Sequence, residues 1–552
     1  PAACNVLGAL YMQTGATEKA LPLFDRAVAI APNFADAHGN RAVVLQQMGR
    51  LPEALSACEA ALRANPGHLN ALSNKGNILK LLGRPDEALT VFDRVLTLQP
   101  GAADARMRRA HLHAEVRNHE AALRDFDQVL RQAPATREAA FGRVSALSSL
   151  RRFDEALAAI ERILAAAPAD SDARLVRVQI LVDLDRDAEA LAGVEALMRE
   201  GLGGSKAAIV HANALWRLGR RDEALTAIAA AVDRYPDDVQ AHQAFSQYCL
   251  ATGDFARGWQ EYEFRGEGFD PKQAEIERTA PRWRGEDLTG KTLLVSAEQG
   301  AGDTLQFLRF LRHMPPAGTI KALVQPSLLR LARSLDAPVE WHDRLGSVGA
   351  FDFQVPLLSL PHGFGTTLDT LPAETPYLAP NPEAVAEWQA RLGNEGVRVG
   401  VVWQGNPDYP QDRRRSVPLR HYAPLAAVPG VRLISLQAIH GLDQLQDLPQ
   451  GMTVETLGEK ITDNPHGMSE IAAVMANLDL IVASDTAVAH LAGALGRPVW
   501  VALADDPDWR WMRDREDYPW YPTMRLFRQT TRGDWPGVFG RMADALATVA
   551  GA

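Results

Sequence analysis

Residues 49–89 read GRLPEALSACEAALRANPGHLNALSNKGNILKLLGRPDEAL, and the last seven letters nearly restate the first seven. The step from Glu53-Ala54-Leu55 to Glu87-Ala88-Leu89 is 34 residues. The Ala-Leu pair keeps that step at Ala20-Leu21, Ala122-Leu123, Ala156-Leu157, Ala190-Leu191 and Ala224-Leu225, and Gly258-Trp259 holds the frame once more. Pro32, Pro66, Pro100, Pro134, Pro168 and Pro236 keep the same period, with Gly201-Leu202-Gly203-Gly204 filling the gap. A fixed period of this length is the mark of stacked helix pairs, each burying its apolar face on its neighbours. Alanine fits where two helices approach closely, and leucine fills the layer between repeats. Gly49, Gly83, Gly219 and Gly253 suit helix ends that need a left-handed residue. Proline cannot continue a helix and so separates the units. The expectation is an all-α superhelix over residues 1–265, built of about eight repeats.

This pattern resembles the tetratricopeptide repeat family. The resemblance implies a concave face that binds an extended peptide or a partner domain. Asn40, Asn74, Asn77 and Asn213 fall on predicted first helices, and Asn40 and Asn74 are one repeat apart. They are candidate acceptor-binding residues, as an asparagine ladder gripping a peptide backbone. A solvated polar face is the alternative.

Composition narrows the classes of function. The chain has 552 residues, 47% hydrophobic and 23% charged, which is ordinary for a globular protein. Cys4, Cys58 and Cys249 have no metal-ligand spacing, so a reduced, cytoplasmic setting is expected and no metal site. No apolar run reaches the ~20 residues that span a bilayer. Net charge is −10, spread as −4 over residues 1–270 and −6 beyond, which argues against a nucleic-acid or anionic-membrane surface. The chain begins at Pro1, already inside a repeat.

Near residue 265 helical periodicity gives way to short β-branched runs. Residues 291–296, 320–325 and 353–358 read as strands, then a Pro-rich crossing, 371–382, leads to a helix over 382–392. Residues 397–403, 431–437, 480–483 and 499–503 form a second strand series. Two alternating series predict an α/β domain of two Rossmann-like lobes, 266–380 and 381–552, with ligand at the carboxyl ends of the strands. Glu298-Gln299-Gly300-Ala301-Gly302-Asp303-Thr304 lies at such an end. Gly300 and Gly302 let backbone approach a ligand, and Asp303 suits a base for an acceptor hydroxyl, or equally a helix cap. In the second lobe Ser484-Asp485-Thr486-Ala487-Val488-Ala489-His490 follows a strand and opens a helix, a place for a phosphate. Gln404-Gly405-Asn406 and Gln437 end two further strands on the same rim, and Arg413, Arg414 and Arg415 follow as candidate anion clamps.

Gly302-Asp303-Thr304, Asp485-Thr486-Ala487 and His490-Leu491-Ala492 resemble glycosyltransferase family 9, the heptosyltransferases, over roughly residues 285–550. The resemblance implies a GT-B fold and an inverting, metal-independent transferase. It implies Asp303 as catalytic base. Asp485, Thr486, Ala487 and His490 would hold the donor, with Gly300, Gly302, Gln404, Gly405, Asn406, Arg415 and Gln437 around it. The glycine usual after Asp-Thr is Ala487 here. Repeats followed by EQGAGDTLQF, Asp508–Trp511 and Pro519–Pro522 resemble bacterial repeat-glycosyltransferase fusions, some of which modify flagellin with nonulosonic acids such as pseudaminic acid. The implied reaction moves a sugar from a nucleotide-sugar donor, a CMP-activated nonulosonic acid among the options, to Ser or Thr of a protein such as flagellin. No cofactor beyond that substrate is implied, and homo-oligomerisation is left open. Two rivals remain: a heptosyltransferase-like enzyme with a lipid-linked or polysaccharide acceptor, and a repeat scaffold whose transferase domain is inactive. Trp509, Trp511, Trp520 and Tyr521 form an aromatic cluster, read as packing rather than sugar stacking.

Overall fold

The computed structural model describes residues 1–266, 271–409, 411–462 and 467–550. Two compact units result, Pro1–Arg220 and Arg221–Ala552. The first is all-helical, from Ala2–Gln13 to Gly204–Arg217. Every alanine of the periodic pair, from Ala20 through Ala54, Ala88, Ala122 and Ala156 to Ala190, is 0% exposed, as close helix contact demands. The glutamate before the pair acts locally. Glu53, Glu87, Glu155 and Glu189 each accept from an arginine three residues earlier, Arg50, Arg84, Arg152 and Arg186. These pairs are exposed and tie the residue before each second helix to its first turn.

The helix-ending position is more regular in structure than in sequence. Gly15, Gly49, Gly83 and Gly219 have positive φ, and so do Arg117, Arg151 and Asp185, which occupy the same place in the other repeats. The amide of Arg117 donates to Ala114 O at 3.1 Å and that of Asn118 to His113 O at 2.8 Å. Gly83 and Arg84 make the same two bonds, to Lys80 O and Leu79 O. One capping geometry therefore runs through the array, whichever residue it holds.

The second unit opens with the repeat helices Arg221–Arg234, Val239–Thr252 and Phe255–Tyr262, so the last repeats belong with the α/β region by compactness. The helix-to-sheet change itself lies close to residue 265, just before residues 267–270, which are outside the described residues. The first lobe has strands β1 (Leu288–Ser296), β2 (Ala317–Leu323), β3 (Val339–His342) and β4 (Phe353–Pro356), all parallel, in the order β3-β2-β1-β4. The second has β5 (Val397–Val402), β6 (Val431–Ser435), β7 (Val454–Glu455), β8 (Leu480–Ser484), β9 (Val499–Leu503) and β10 (Met524–Arg528), again parallel. Its order is β10-β9-β8-β5-β6-β7, so strand order reverses between β5 and β8. In the first lobe the reversal lies between β1 and β4. An all-helical repeat superhelix followed by an α/β region of two Rossmann-like lobes, consistent with a GT-B-like fold, is the architecture. Fully buried β8 and β9 explain their continuous apolar runs.

Candidate active site

The reversal of strand order opens a crevice at the carboxyl ends of the flanking strands, and ligands of doubly wound sheets bind there. Asp485-Thr486 follow β8 and Trp403-Gln404 follow β5, so both second-lobe motifs stand at that crevice. Helix Ala487–Ala494 begins immediately after Thr486, its N-cap, and no side chain caps it. Its free amides and dipole favour an anion. Three buried polar atoms beside it, Ser484 Oγ, Thr486 Oγ1 and His490 Nδ1, have no hydrogen-bond partner. Groups of that kind carry a cost of about 1–3 kcal/mol each unless a ligand satisfies them.

Charge gathers at the same place. Burial, then the Asp508 carboxylate, pushes Asp485 above the usual carboxylate range, while Arg415 and Arg510 pull it back. Burial, then Arg510, Arg309 and Arg415, pushes His490 down to about 3, so the ring is neutral at physiological pH. It stacks on Trp511 with centroids 5.1 Å apart. Arg415 lies over Tyr409 at 4.5 Å and donates to Asp412 Oδ1 at 3.1 Å. Its turn, Asp412–Arg415, is helical rather than an open loop.

Asp303 sits in the first turn of helix Ala301–Phe307, not in the loop before it. Its Oδ2 accepts the Gly300 amide at 2.8 Å, and its Oδ1 is 2.5 Å from Arg510 Nη2. Asp303 caps from the third helical position, with Gly300 rather than Asp303 as the N-cap, and Arg510 is a partner the sequence did not announce. Burial raises the Asp303 carboxyl above its ordinary value, against the pull of Arg510 and the Gly300 amide. Burial opposes the Arg510 charge, yet Asp303 and Asp508 hold it well above its ordinary value.

Gly302 permits a close approach, but to protein: a Cβ there would lie 3.1 Å from His490 Cδ2 and 3.2 Å from Ala487 Cα. Helix Ala301–Phe307 thus packs on helix Ala487–Ala494. Gln437 is occupied in holding the strand ends, its Oε1 accepting from the Trp403 and Gln404 amides at 3.1 Å and its Nε2 donating to Gln404 O at 2.8 Å. Gln404 Oε1 accepts from Gln444 at 3.0 Å. The Gly405 amide donates to Ser416 Oγ at 3.0 Å, and Asn406 Oδ1 accepts from Asp408 N at 3.0 Å. These four shape the rim through backbone and amide bonds. Beyond β6 a cavity of about 180 Å³ is lined by Ser435, Gln437, Leu442, Leu445, Leu457 and Ile461 among others.

The aromatic cluster packs: Trp511, Trp520 and Tyr521 are 0% exposed, and Trp509 and Trp520 meet the repeat residue Trp259 edge-on at 5.4 and 6.4 Å. In the helical array Asn40 Nδ2 donates to Asn5 Oδ1 at 3.0 Å, Asn77 Oδ1 accepts from Arg108 at 3.3 Å, and Asn74 is half-buried.

Family models match the repeat array and part of the second lobe. Tetratricopeptide repeat models match residues 3–37, 33–100, 142–201 and 209–263. The glycosyltransferase family 9 (heptosyltransferase) model matches residues 431–504, from β6 through β9, which takes in Gln437, Asp485 and His490 but not Asp303. The chain thus combines tetratricopeptide repeats with a glycosyltransferase family 9 domain. It is similar to protein FlbA of Caulobacter vibrioides, 28% identical over 336 residues, covering 56% of this chain and 56% of that one. The chain therefore spans little more than half the length of that relative. Among solved structures, a tetratricopeptide repeat protein from Parabacteroides merdae is 18% identical over 42% of this chain and 91% of its own, TM-score 0.34. PilF of Pseudomonas aeruginosa is 23% identical over 36% and 90%, TM-score 0.31. Among the described residues no helix is long and apolar enough to cross a membrane.

Proposed function

We propose that the protein is a cytoplasmic O-glycosyltransferase that moves a sugar from a nucleotide-sugar donor to Ser or Thr of a protein held by the repeats, with flagellin the first acceptor to test. The observation that carries this reading is the uncapped start of helix Ala487–Ala494, with Thr486 Oγ1 and His490 Nδ1 unpartnered beside it and Asp303 across the crevice. Preorganised donors at a helix start stabilise the charge of a departing nucleotide. The apolar cavity beyond β6 suits a nucleobase, and Asp303 suits the role of base toward the acceptor hydroxyl. Arg415 and the helix dipole supply positive charge for the leaving phosphate, which suits a metal-independent reaction, and direct displacement by a hydroxyl that Asp303 deprotonates would be inverting. A CMP-activated nonulosonic acid is the first donor to try, on the strength of the resemblance to repeat-glycosyltransferase fusions.

The test is incubation of the purified protein with a panel of nucleotide sugars and flagellin, reading nucleotide release and the intact mass of the acceptor. A mass gain of one sugar supports the proposal. Nucleotide release with no acceptor gain under any protein tested, but with gain on a lipid-linked sugar, moves the acceptor to lipid. No release from any donor favours the scaffold reading, which draws on the Asp303–Arg510 pair.

A further inference from the structure

We infer that Arg510 is the donor's anion ligand, and that its departure from Asp303 upon donor binding is what frees the base. The inference rests on the transferase reading and adds a residue and an order of events to it. As the structure stands, Asp303 has both oxygens committed, Oδ2 to the Gly300 amide at 2.8 Å and Oδ1 to Arg510 Nη2 at 2.5 Å. Arg510 lowers the proton affinity that burial raises, so the paired carboxylate is a weaker acceptor for a substrate proton than the same carboxylate without its cation. Arg510 has a second anchor, since its Nη1 donates to Asp508 Oδ1 at 2.9 Å. It can exchange Asp303 for another anion without becoming an unpaired cation.

Three observations point that exchange at a ligand. The pair is not sealed: the Arg510 side chain keeps 11% and the Asp303 side chain 18% of its surface exposed. Arg510 Nε, Thr486 Oγ1 and His490 Nδ1 all lack partners. Gly302, next to Asp303, abuts Ala487 at the uncapped helix start, so the pair and the free amides share one place. The ring of His490 is held neutral, with Arg510, Arg309 and Arg415 the cations that act on it, and Arg415 and Arg510 those that act on Asp485. A phosphate drawn to the helix start meets Arg510 there, with the planar fork that suits phosphate oxygens.

Once the phosphate holds Arg510, Asp303 loses its cation while burial, Asp508 and Glu298 continue to raise its proton affinity. In the transfer step the acceptor oxygen bonds to the anomeric carbon and its proton passes to Asp303. The anomeric carbon–oxygen bond to phosphate breaks, and the electron pair leaves with the nucleotide, whose charge Arg510 and the helix amides hold.

Calorimetric titration with CMP, UDP, dTDP, ADP and GDP, one at a time, tests this on the full chain, with circular dichroism confirming the fold. The wild type binds one of them. Arg510→Gln weakens that nucleotide about tenfold to a hundredfold, the scale of a charge-assisted contact. Asp303→Asn tightens it several-fold, because the competing carboxylate is gone, an effect opposite to that of a damaged fold. If a nucleotide binds the wild type but Asp303→Asn leaves affinity unchanged or weaker, the exchange is refuted and the transferase reading stands. If Arg510→Gln leaves affinity unchanged, the exchange is refuted in the same way. If no nucleotide binds the wild type, the transferase reading falls and the exchange with it.

Discussion

Replacing Arg117 by glycine should stabilise the protein, although it deletes a charged side chain. Arg117 has φ 60°, in the left-handed region, at the position where Gly83 has φ 70° one repeat earlier. A side chain bearing Cβ costs about 1–2 kcal/mol in that conformation. Glycine removes the cost but widens the unfolded ensemble, returning about 0.5–1 kcal/mol. The Arg117 side chain is exposed, and its residue's part in the cap is its amide bond to Ala114 O, which glycine keeps. The balance is a gain of about 0.5–1 kcal/mol. With a urea slope near 3 kcal/mol/M, the midpoint should rise by about 0.2–0.3 M. The reverse change is the control: around Gly83 a Cβ meets nothing within 4 Å, so Gly83→Ala should cost about 1 kcal/mol by conformation alone. Urea unfolding followed by circular dichroism measures both. A lower midpoint for Arg117→Gly, at unchanged slope, would show that the shared capping geometry does not set the stability of these turns.

Asp303→Asn should lower glycosyl transfer by about 10²–10⁴-fold while the protein stays folded, measured as initial rate of acceptor mass gain; a rate within a factor of about three of wild type rejects Asp303 as base. Prolonged dialysis against EDTA should leave the transfer rate unchanged, and recovery of a lost rate on adding Mg²⁺ or Mn²⁺ would contradict the metal-independent reading. His490, pushed down to about 3 from 6.5, should show no imidazole titration between pH 8 and pH 5 by NMR. Since its folded value is depressed, the stability from the neutral ring is complete above pH 6.5 and is lost as pH falls toward 3, at about 1.4 kcal/mol per pH unit, an effect that His490→Gln should remove in acid unfolding. Gly302→Ala should force the helix contact apart, since the added carbon would stand 3.2 Å from the Ala487 Cα, and transfer should fall at least about tenfold without loss of secondary structure.

Periodicity carried the helical half because each repeat sees the same neighbours, so the same alanine is buried every time. The left-handed position was legible only where glycine marks it. Arg117, Arg151 and Asp185 conceal it, since the geometry is imposed by stacking rather than by residue choice. In the α/β half the buried strands β8 and β9 announce themselves by unbroken apolar runs. β3 and β7 do not, being short and half-exposed edge strands. The crevice residues were readable from strand-loop-helix order. Arg510 was not, because its meaning depends on Asp303, more than two hundred positions away in sequence. The signal that could have found it is the run Asp508-Trp509-Arg510-Trp511, where a lone cation stands between tryptophans after a strand at the crevice. Gln437 shows a second limit of the sequence: an amide at a strand end suits a ligand and a neighbouring strand end alike, and here it bonds the backbone after β5 while also lining the cavity beyond β6.

The last repeat helix is built into the α/β region. Tyr262, its final residue, has its hydroxyl 2.9 Å from Gln299 Nε2, and Gln299 holds a left-handed φ of 60° immediately before Gly300. Arg265 forms a buried pair with Glu298, its Nη2 2.5 Å from Oε1, and reaches Ser359 beyond β4 at 2.6 Å. Trp259, on the same helix, meets Phe307 at 6.0 Å, at the far end of the Asp303 helix. The segment that positions Asp303 is therefore gripped at both ends by one repeat helix. A non-glycine residue persists at positive φ only where its surroundings over-determine it. The left-handed Gln299, and beside it the Gly300 amide that Asp303 holds, are thus fixed in part by contact with the final repeat. The geometry makes the final repeat and the segment that carries Asp303 one packed body, a stronger link than a flexible tether gives.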